Sequence, residues 1–432
     1  MEETMEKNSL VYQTYLRILE RELVPAMGCT EPIALAYCAA LARSVLGTVP
    51  EKMVVAVSGN ILKNVKSVVV PNTEGRRGIV AAVAVGALCG DETAELEVIS
   101  RVSAEDKLRL GAYLETLSVE VIPADTEYVL DISVTACAGE HSARVRAVNE
   151  HTNIVLVEKD GVVLEEKAIE AAEVSDEDLP DYSLLRIEEI VDFASGCDLR
   201  DVAPIIARQI DMNTAISEEG LSGDYGANIG KVLLKAYGDD VRVRAKARAA
   251  AGSDARMNGC EMPVIINSGS GNQGLTVSLP VIEYAKELNV SRDQLYRALL
   301  VSNLVTLHEK TGIGRLSAYC GAVSAGAGAG AGIAYLNGAD VETISQTVVN
   351  ALAITSGIVC DGAKSSCAAK IAAAVDAGIL GYEMCCSGQK FCGGEGLVLD
   401  SAEESIENFG HLGRIAMKET DREIIRMMTA SC

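Results

Sequence analysis

The stretch Cys360-Asp361-Gly362-Ala363-Lys364-Ser365-Ser366-Cys367 lies inside an alanine-rich segment that runs from Asn350 to Gly378. High alanine content and the lack of proline predict a helix over this segment. Residues seven apart return to one helical face after two turns, so Cys360, Lys364 and Cys367 would share a stripe. Upstream, Cys320 opens a second run of small residues. Three cysteines in such closely packable surroundings could hold an iron–sulfur cluster.

The composition bounds the class of protein. The length of 432 residues predicts two domains. With 49% apolar residues, the chain can form a large hydrophobic core. With three Phe and no Trp, that core must be built from small aliphatic side chains in close contact. The net charge of −23 disfavours nucleic acid and anionic membranes as partners. A small anionic substrate would need a local patch of donors or cations.

The cysteine content and the first residues indicate a cytoplasmic protein. Thirteen cysteines would suggest disulfides in a short secreted chain, but the charged start of this chain shows no signal-peptide pattern. The uncharged run from Leu316 to Ala339 consists mainly of Gly, Ala and Ser. Because it has few large apolar residues, it predicts a buried helix and not a membrane span.

Periodicity predicts an α+β fold in which a helical domain is interrupted by a smaller α+β domain. Helical patterns cover 10–23, a segment from Pro32 to about Leu46, and most of the chain after Leu185. Strand-like runs cover 53–57, 67–70, 96–102, 118–122, 129–136, 143–148 and 154–158, with helices at 78–89 and 104–117 between them. We therefore predict a Gly/Ala-rich helical domain (1–48 plus 185–432) and an inserted domain (49–184) with a mixed or antiparallel sheet. Acidic residues 174–182 form its predicted exit linker.

The motif Gly28-Cys29-Thr30-Glu31-Pro32 places a cysteine just before a helix, since Pro32 suits the first helical turn. The partial positive charge of a helix N-terminus favours a thiolate at Cys29. We expect this turn to expose the thiol and make it reactive. The alternative is a buried packing cysteine, which is the usual environment of a free Cys.

Two polar segments of the predicted inserted domain are candidate binding elements. The first is Ser58 to Asn64, where Asn60, Lys63 and Asn64 could hold a carboxylate, or could simply form a solvated turn. The second is His151, which could supply an acid/base group or a substrate donor, or could be ordinary loop surface.

A glycine-rich loop from Ser268 to Gly274 precedes another predicted helix. Gly269, Gly271 and Gly274 match the dinucleotide-binding spacing, but the following segment is again helical and supplies no second parallel strand. The loop residues Ser268, Gly269, Ser270, Gly271, Asn272 and Gln273 could instead present backbone N–H groups to an anion such as an amino acid carboxylate.

The remaining cysteines carry no anchoring pattern. The sequence contains no Cys-x-x-Cys motif, so it lacks the commonest ligand spacing of structural zinc sites and of dithiol redox sites. Cys385, Cys386 and Cys392 could be additional metal ligands or ordinary thiols. The segment His308-Glu309-Lys310 lacks the second histidine of a zinc-protease helix and is interpreted as a helix end.

Taken together, these motifs resemble the L-cysteine desulfidase family, whose members are related to the iron–sulfur L-serine dehydratase alpha chains. The resemblance covers nearly the whole chain. It rests on Gly28–Pro32, Ser58–Asn64, His-Thr-Asn-Ile at 151–154, Ser268–Gly274 and the three late cysteines.

The resemblance implies a lyase that works without pyridoxal phosphate and carries an oxygen-sensitive [4Fe-4S] cluster on Cys320, Cys360 and Cys367. Three protein thiolates leave one iron open as a Lewis acid for the leaving group of a small amino acid. L-cysteine would give hydrogen sulfide, pyruvate and ammonia, with Cys29 as the base that removes the α-proton.

Several points remain open at this level. Lys364 could stabilise substrate charge, or could pair with Asp361, and Cys432 could occupy the open iron at rest. L-serine dehydration is the alternative activity, and a non-catalytic iron–sulfur sensor or redox protein is the alternative class. A homo-oligomer is possible, because Gly-rich helices can pack against a partner chain as well as within one chain.

Overall fold

The computed structural model describes residues 5–169 and 179–429 and confirms an α+β fold. The eight strands of these ranges are β1 (Pro25–Met27), β2 (Lys52–Val57), β3 (Ser118–Pro123), β4 (Asp131–Ala138), β5 (His141–Val148), β6 (Ile154–Lys159), β7 (Val162–Glu166) and β8 (Pro263–Ile265).

Sixteen α-helices lie in the same ranges. They are α1 (Leu10–Glu22), α2 (Thr30–Leu46), α3 (Gly59–Val65), α4 (Gly78–Cys89), α5 (Ala104–Thr116), α6 (Ile187–Gly196), α7 (Leu199–Ser222), α8 (Ile229–Tyr237), α9 (Val241–Met257), α10 (Gly271–Glu287), α11 (Arg292–Ile313), α12 (Gly321–Leu336), α13 (Val341–Thr355), α14 (Cys367–Cys386), α15 (Ala402–His411) and α16 (Lys418–Thr429).

A six-stranded mixed sheet has the order β3-β2-β4-β5-β6-β7. The β2–β3 pair is parallel, and the other pairs are antiparallel. All six strands lie between Lys52 and Glu166, inside the segment predicted as an insertion. Helix α2, from the preceding segment, packs on β4 and β5. The sheet thus shares its core with the helical part, and the division into two domains stays a prediction.

A second, two-stranded sheet joins distant parts of the chain. Strand β1 pairs antiparallel with β8, with Pro25 opposite Ile265 and Met27 opposite Pro263. Because α2 follows β1 and α10 follows β8, this pairing brings the starts of both helices together. Gly28, between β1 and α2, has φ +59, and a Cβ there would lie 2.5 Å from Pro71 Cγ. Only glycine makes this turn without strain and without a clash.

Small residues allow the helices after Val241 to approach closely. Helix α12 packs against α10, α11, α13 and α14, and its residues from Ala322 to Ala334 are buried. A Cβ at Gly378 of α14 would lie 2.1 Å from the Gly326 carbonyl oxygen of α12. The core therefore reaches its density through backbone contact, which explains how it forms with so few aromatic side chains.

The predicted helix over Cys360–Cys367 is wrong. Helix α13 ends at Thr355, and α14 begins only at Cys367. The intervening loop contains Gly362 at φ +90, where a Cβ would lie 2.3 Å from the Lys63 carbonyl oxygen. Its backbone also pairs with residues 318–320. This tertiary pairing outweighs the local helix propensity of the segment.

Some strand predictions also fail. Segment 67–70 forms only an isolated bridge from Val69 to Arg77, and 96–102 contains the end of a 3-10 turn and no strand. Apolar residues of the second segment, including Leu96 and Ile99, are instead buried in the core. Strand β7 was not predicted. Most of the predicted linker 174–182 lies outside the described residues.

The apolar run Leu316 to Ala339 corresponds to α12 and its flanks, as a buried helix. Within residues 5–169 and 179–429, no helix has both the length and the hydropathy needed to cross a lipid bilayer.

The close contact of α12 and α14 makes a stability prediction. Gly378→Val should lower the free energy of unfolding by about 1–3 kcal/mol, because its side chain would meet the Gly326 carbonyl and force the helices apart. Ala373→Val is the matched control, since Ala373 is exposed on the same helix and should cost at most about 0.7 kcal/mol in helix propensity. Urea unfolding measures both, and equal losses would contradict the packing argument.

Candidate active site

A cavity of about 110 Å³, called the central cavity below, lies where four helices begin. Its lining includes the residues at the starts of α2, α10, α12 and α14. Unpaired N–H groups and the helix dipole make each such start partly positive. The lining residues are Cys29, Thr30, Glu31, Asn64, His151, Arg256, Met257, Gly269, Ser270, Asn272, Gln273, Lys310, Arg315, Leu316, Ser317, Tyr319, Cys320, Gly321, Ala322, Cys360, Gly362, Ala363, Cys367 and Ile371.

Cys320, Cys360 and Cys367 all line this cavity. Two loops run antiparallel through the Tyr319–Val359 bridge, where Cys320 N donates to Ile358 O (3.1 Å) and Cys360 N donates to Ala318 O (2.6 Å). In this register Cys320 lies opposite Ile358 and Cys360 lies opposite Ala318, so the pairing brings the two cysteines into neighbouring loops. Cys367 is the first residue of α14, and its Sγ lies 3.7 Å from Gly362 O. Backbone contacts thus position all three thiols, although the segment does not form the predicted helix.

Among the described residues, the three thiols form no compact site for a single metal ion. Within the described ranges, no three His, Cys, Asp or Glu side chains gather tightly enough to hold one metal ion. A [4Fe-4S] cluster binds its thiolates on different irons, so its ligands stand farther apart than those of one ion. Burial, and then the neighbouring Cys360, raises the pKa of Cys320 to about 12. Burial also raises the pKa of Cys367. A nearby positive charge would favour ionisation of Cys320 and Cys367.

Three basic side chains border the cavity. The sequence analysis did not identify them as site residues. Lys310, at the end of α11, is 4% exposed, and burial lowers its pKa to about 8. Arg315 is ion-paired with Glu22 at 2.9 Å and lies 3.5 Å from Glu150. Arg256 ends α9 and is buried. Together they supply the local positive charge that an acidic chain needs to admit an anion.

Cys29 does precede the first residue of α2, but the expected exposed thiolate is wrong. The side chain is 3% exposed, and its Sγ donates to Glu31 Oε2 at 2.9 Å. Burial, reinforced by the Glu31 carboxylate, raises the pKa of Cys29 well above its ordinary value. Burial and the Glu31 carboxylate therefore both oppose the thiolate that the helix start was expected to favour.

Glu31 is the acceptor at the centre of this arrangement. Its Oε1 accepts from Asn64 Nδ2 at 2.9 Å, and its Oε2 accepts from Cys29 and from Thr30 Oγ1 at 3.2 Å. Burial opposes ionisation of Glu31, but nearby His151 and these hydrogen bonds outweigh it, and the pKa is lowered. Sequence reasoning quoted Glu31 only as part of the Gly28–Pro32 motif. The signal that could have identified Glu31 was its position two residues after Cys29 at the start of a helix.

The Ser58–Asn64 segment divides into two contacts. Asn64 reaches the cavity, whereas Asn60 Nδ2 and Lys63 Nζ both bind the Asp421 carboxylate of α16, at 2.8 and 2.6 Å. The Lys63 side chain is 1% exposed. An internal carboxylate therefore occupies the two donors that were expected to meet a substrate.

The other predicted binding residues lie at or directly behind the cavity wall. His151 is 6% exposed, and its Nε2 has no partner among the described residues. Gly269, Ser270, Asn272 and Gln273 line the cavity, whereas Ser268 and Gly271 do not.

Lys364, Cys385, Cys386 and Cys392 do not line the cavity. Lys364 Nζ pairs with Asp361 at 2.5 Å and is not part of the lining. Cys385 lies near the far end of α14, on the order of 27 Å along the helix from Cys367 at 1.5 Å per residue. Cys386 and Cys392 are exposed. Cys432 lies outside the described residues.

Comparison with known proteins gives consistent similarities. Residues 93–426 match the family described as "Serine dehydratase alpha chain". A UPF0597 protein of Desulfitobacterium hafniense (strain Y51) is 56% identical over 99% of both chains. A UPF0597 protein of Lachnoclostridium phytofermentans is 52% identical over 97% of this chain and 100% of its own. Another, from Finegoldia magna, is 46% identical over 96% of this chain and 99% of its own.

The Cys29–Glu31 contact predicts how the thiol titrates. In Glu31→Gln, loss of the carboxylate charge should lower the pKa of Cys29, so alkylation by iodoacetamide should begin at lower pH than in the wild-type protein. Cys38, also on α2, is an internal control because burial alone accounts for the raised pKa of its thiol. Mass spectrometry of the labelled peptides measures both. An unchanged pH profile for Cys29, or an equal change for Cys38, would contradict the assignment.

Proposed function

Because the chain belongs to the serine dehydratase alpha chain family, we propose that it is an iron–sulfur lyase that works without pyridoxal phosphate. The proposed reaction is the conversion of L-cysteine into hydrogen sulfide, pyruvate and ammonia. The observation that carries the proposal is the convergence of Cys320, Cys360 and Cys367 on the cavity that also contains the Cys29–Glu31 pair.

Cys320, Cys360 and Cys367 are the residues that would hold a [4Fe-4S] cluster. When bound through three thiolates, such a cluster supplies one Lewis-acidic iron for the group that leaves the β-carbon. The starts of α12 and α14, with Lys310, would help to stabilise the charge of the thiolates.

Cys29 and Glu31 are the proposed proton-transfer pair. In the proposed step Cys29 Sγ gives its proton to Glu31 Oε2, 2.9 Å away, and takes the α-proton of the amino acid. The raised pKa of Cys29 and the lowered pKa of Glu31 oppose the first transfer, so it needs the positive charge of Arg256, which lowers the pKa of Cys29. The electron pair of the Cα–H bond then forms the Cα–Cβ double bond. The Cβ–S bond breaks, and sulfur leaves as hydrosulfide with the electron pair of that bond. The aminoacrylate product tautomerises and reacts with water to give pyruvate and ammonia. Asn64 and Thr30 hold the Glu31 carboxylate in position for this transfer.

The polar wall of the cavity would hold the substrate amino acid. Among the described residues, Gln273 Oε1 and His151 Nε2 are buried there without partners. The amide oxygen can accept from a bound amino acid, and His151 Nε2 can accept or donate according to its tautomer. Lys364, Asn60 and Lys63 have no part in the proposed machinery, since their donors are taken by Asp361 or Asp421.

L-serine dehydration is the second candidate, and the description of the matching family favours it. The same proton transfer would serve both substrates, because only the leaving atom on the β-carbon differs. The cavity wall contains no described contact that distinguishes a thiol from a hydroxyl.

Anaerobic assays test the proposal. We expect pyruvate and sulfide from L-cysteine, and less pyruvate from L-serine. Cys29→Ser should keep its iron and lose at least about 10²-fold in kcat, which is the lower end for removal of a general base. Cys38→Ser is the matched control, because Cys38 is buried on the same helix outside the cavity.

The opposing outcomes are distinct. Intact cluster spectra without pyruvate from either amino acid would refute both lyase candidates and favour a sensor. Loss of iron from Cys29→Ser would make Cys29 a ligand and not a base.

A further inference from the structure

Arg256 is a buried cation without a carboxylate partner. Its side chain is among the largest fully buried ones, with the residue 2% exposed, and it lines the central cavity. No Asp or Glu oxygen lies within 4.0 Å of its guanidinium among the described residues. Taking a guanidinium out of water without a counter-charge costs several kcal/mol. A fold that keeps such a group gains if an anionic ligand completes the pair.

The fold orients this guanidinium with two specific contacts. Arg256 Nη1 donates to Asn272 Oδ1 at 3.1 Å. A Cβ at Gly271 would lie 2.3 Å from Arg256 Nε and 2.7 Å from its Cζ. Only glycine at 271 therefore allows the guanidinium to lie across the first turn of α10. This contact gives Gly271 a role although it does not line the cavity itself.

None of the acidic groups near Arg256 hydrogen-bonds directly to its guanidinium among the described residues. Its electrostatic neighbours are Cys29 and Glu31 on α2 and Cys367 on α14. The Glu31 oxygens already accept from Cys29, Thr30 and Asn64. Cys29 Sγ already donates to Glu31 Oε2 at 2.9 Å. Nε has no partner at all among the described residues.

A carboxylate is the anion that fits this environment. A guanidinium presents a planar fork of donors that matches a carboxylate. The cavity of about 110 Å³ is small, so it suits a short amino acid better than a bulky phosphate ester. The start of α10 adds partial positive charge from the same direction.

We infer that Arg256 binds the α-carboxylate of the substrate, with Asn272 and Gly271 as the residues that position its guanidinium. The inference rests on the proposed lyase function and deepens it. It replaces the expectation that backbone N–H groups of the Ser268–Gly274 loop are the main carboxylate donors. It also bears on the orientation of the substrate, because Cys29 is an electrostatic neighbour of Arg256 in the same cavity.

Calorimetry with two unreactive ligands tests the inference on the anaerobically purified full chain. L-alanine has no leaving group on its β-carbon, and L-alaninamide differs from it by replacing the carboxylate with a neutral amide. The wild-type protein should bind L-alanine roughly 10- to 100-fold more tightly, the range expected for a charge-assisted hydrogen bond. Arg256→Gln should lose that preference while binding of L-alaninamide stays unchanged.

Two further variants and one kinetic readout help to interpret the result. Arg256→Lys keeps the charge but not the fork, so it should retain part of the preference and should fold if Arg256→Gln does not. Arg248→Gln is the matched control, because Arg248 lies on the same helix, 3.8 Å from Glu218 and 3.6 Å from Glu283, and outside the cavity. With L-cysteine, Arg256→Lys should raise KM more than it lowers kcat.

The results that would contradict the proposed role of Arg256 differ from those that would contradict the proposed lyase function. A wild-type protein that does not bind L-alanine, or that binds both ligands equally, contradicts a role of Arg256 in carboxylate binding. Loss of iron from Arg256→Gln with the ligand preference kept would make Arg256 a partner of the thiolates instead. Arg256-dependent binding of L-alanine in a protein that releases no pyruvate would support the inference and refute the lyase.

Discussion

Four helix starts directed at one buried cavity are the constraint on which the rest of the structure depends. Each start contributes unpaired N–H groups and partial positive charge. Together with Arg256, Lys310 and Arg315 they create a positive interior in a chain of net charge −23. Such a site can stabilise thiolates and a carboxylate that the overall field of the protein would repel.

Bringing four helix starts together requires close backbone packing, and the composition provides it. Gly326, Gly330 and Gly378 let α12 and α14 touch through their backbones, so that Cys320 and Cys367 face the same space. The β1–β8 pair does the same for α2 and α10. The abundance of Gly and Ala is thus a geometric requirement of the site as well as a property of the core.

The sequence predicted well what depends on local pattern. The helices at 10–22 and 78–89, and most strands of the six-stranded sheet, follow from apolar periodicity. The segment 360–367 was misinterpreted because its composition is that of a helix, while its conformation is set by pairing with residues 318–320. Propensity cannot anticipate a partner forty residues away.

The site was predictable only in part, for the same reason. Cys29, Cys320, Cys360 and Cys367 were singled out from their sequence surroundings before the resemblance assigned them roles, and all four line one cavity. The acid–base state of Cys29 could not be predicted, because it depends on burial and on Glu31. Arg256 and Lys310 stand in no motif, and Asp421 reaches Lys63 across 358 positions of the chain. Such residues become visible only once the helices are assembled.

The most direct measurement is Mössbauer spectroscopy of anaerobic, ⁵⁷Fe-reconstituted protein with and without L-cysteine. If three cysteines hold a [4Fe-4S] cluster with one open iron, about a quarter of the iron signal should shift when the amino acid binds. Separate replacement of Cys320, Cys360 and Cys367 by Ser should each remove the cluster, whereas Cys38→Ser should not. A cluster that survives these three replacements, or four irons that do not respond to L-cysteine, would contradict the assignment.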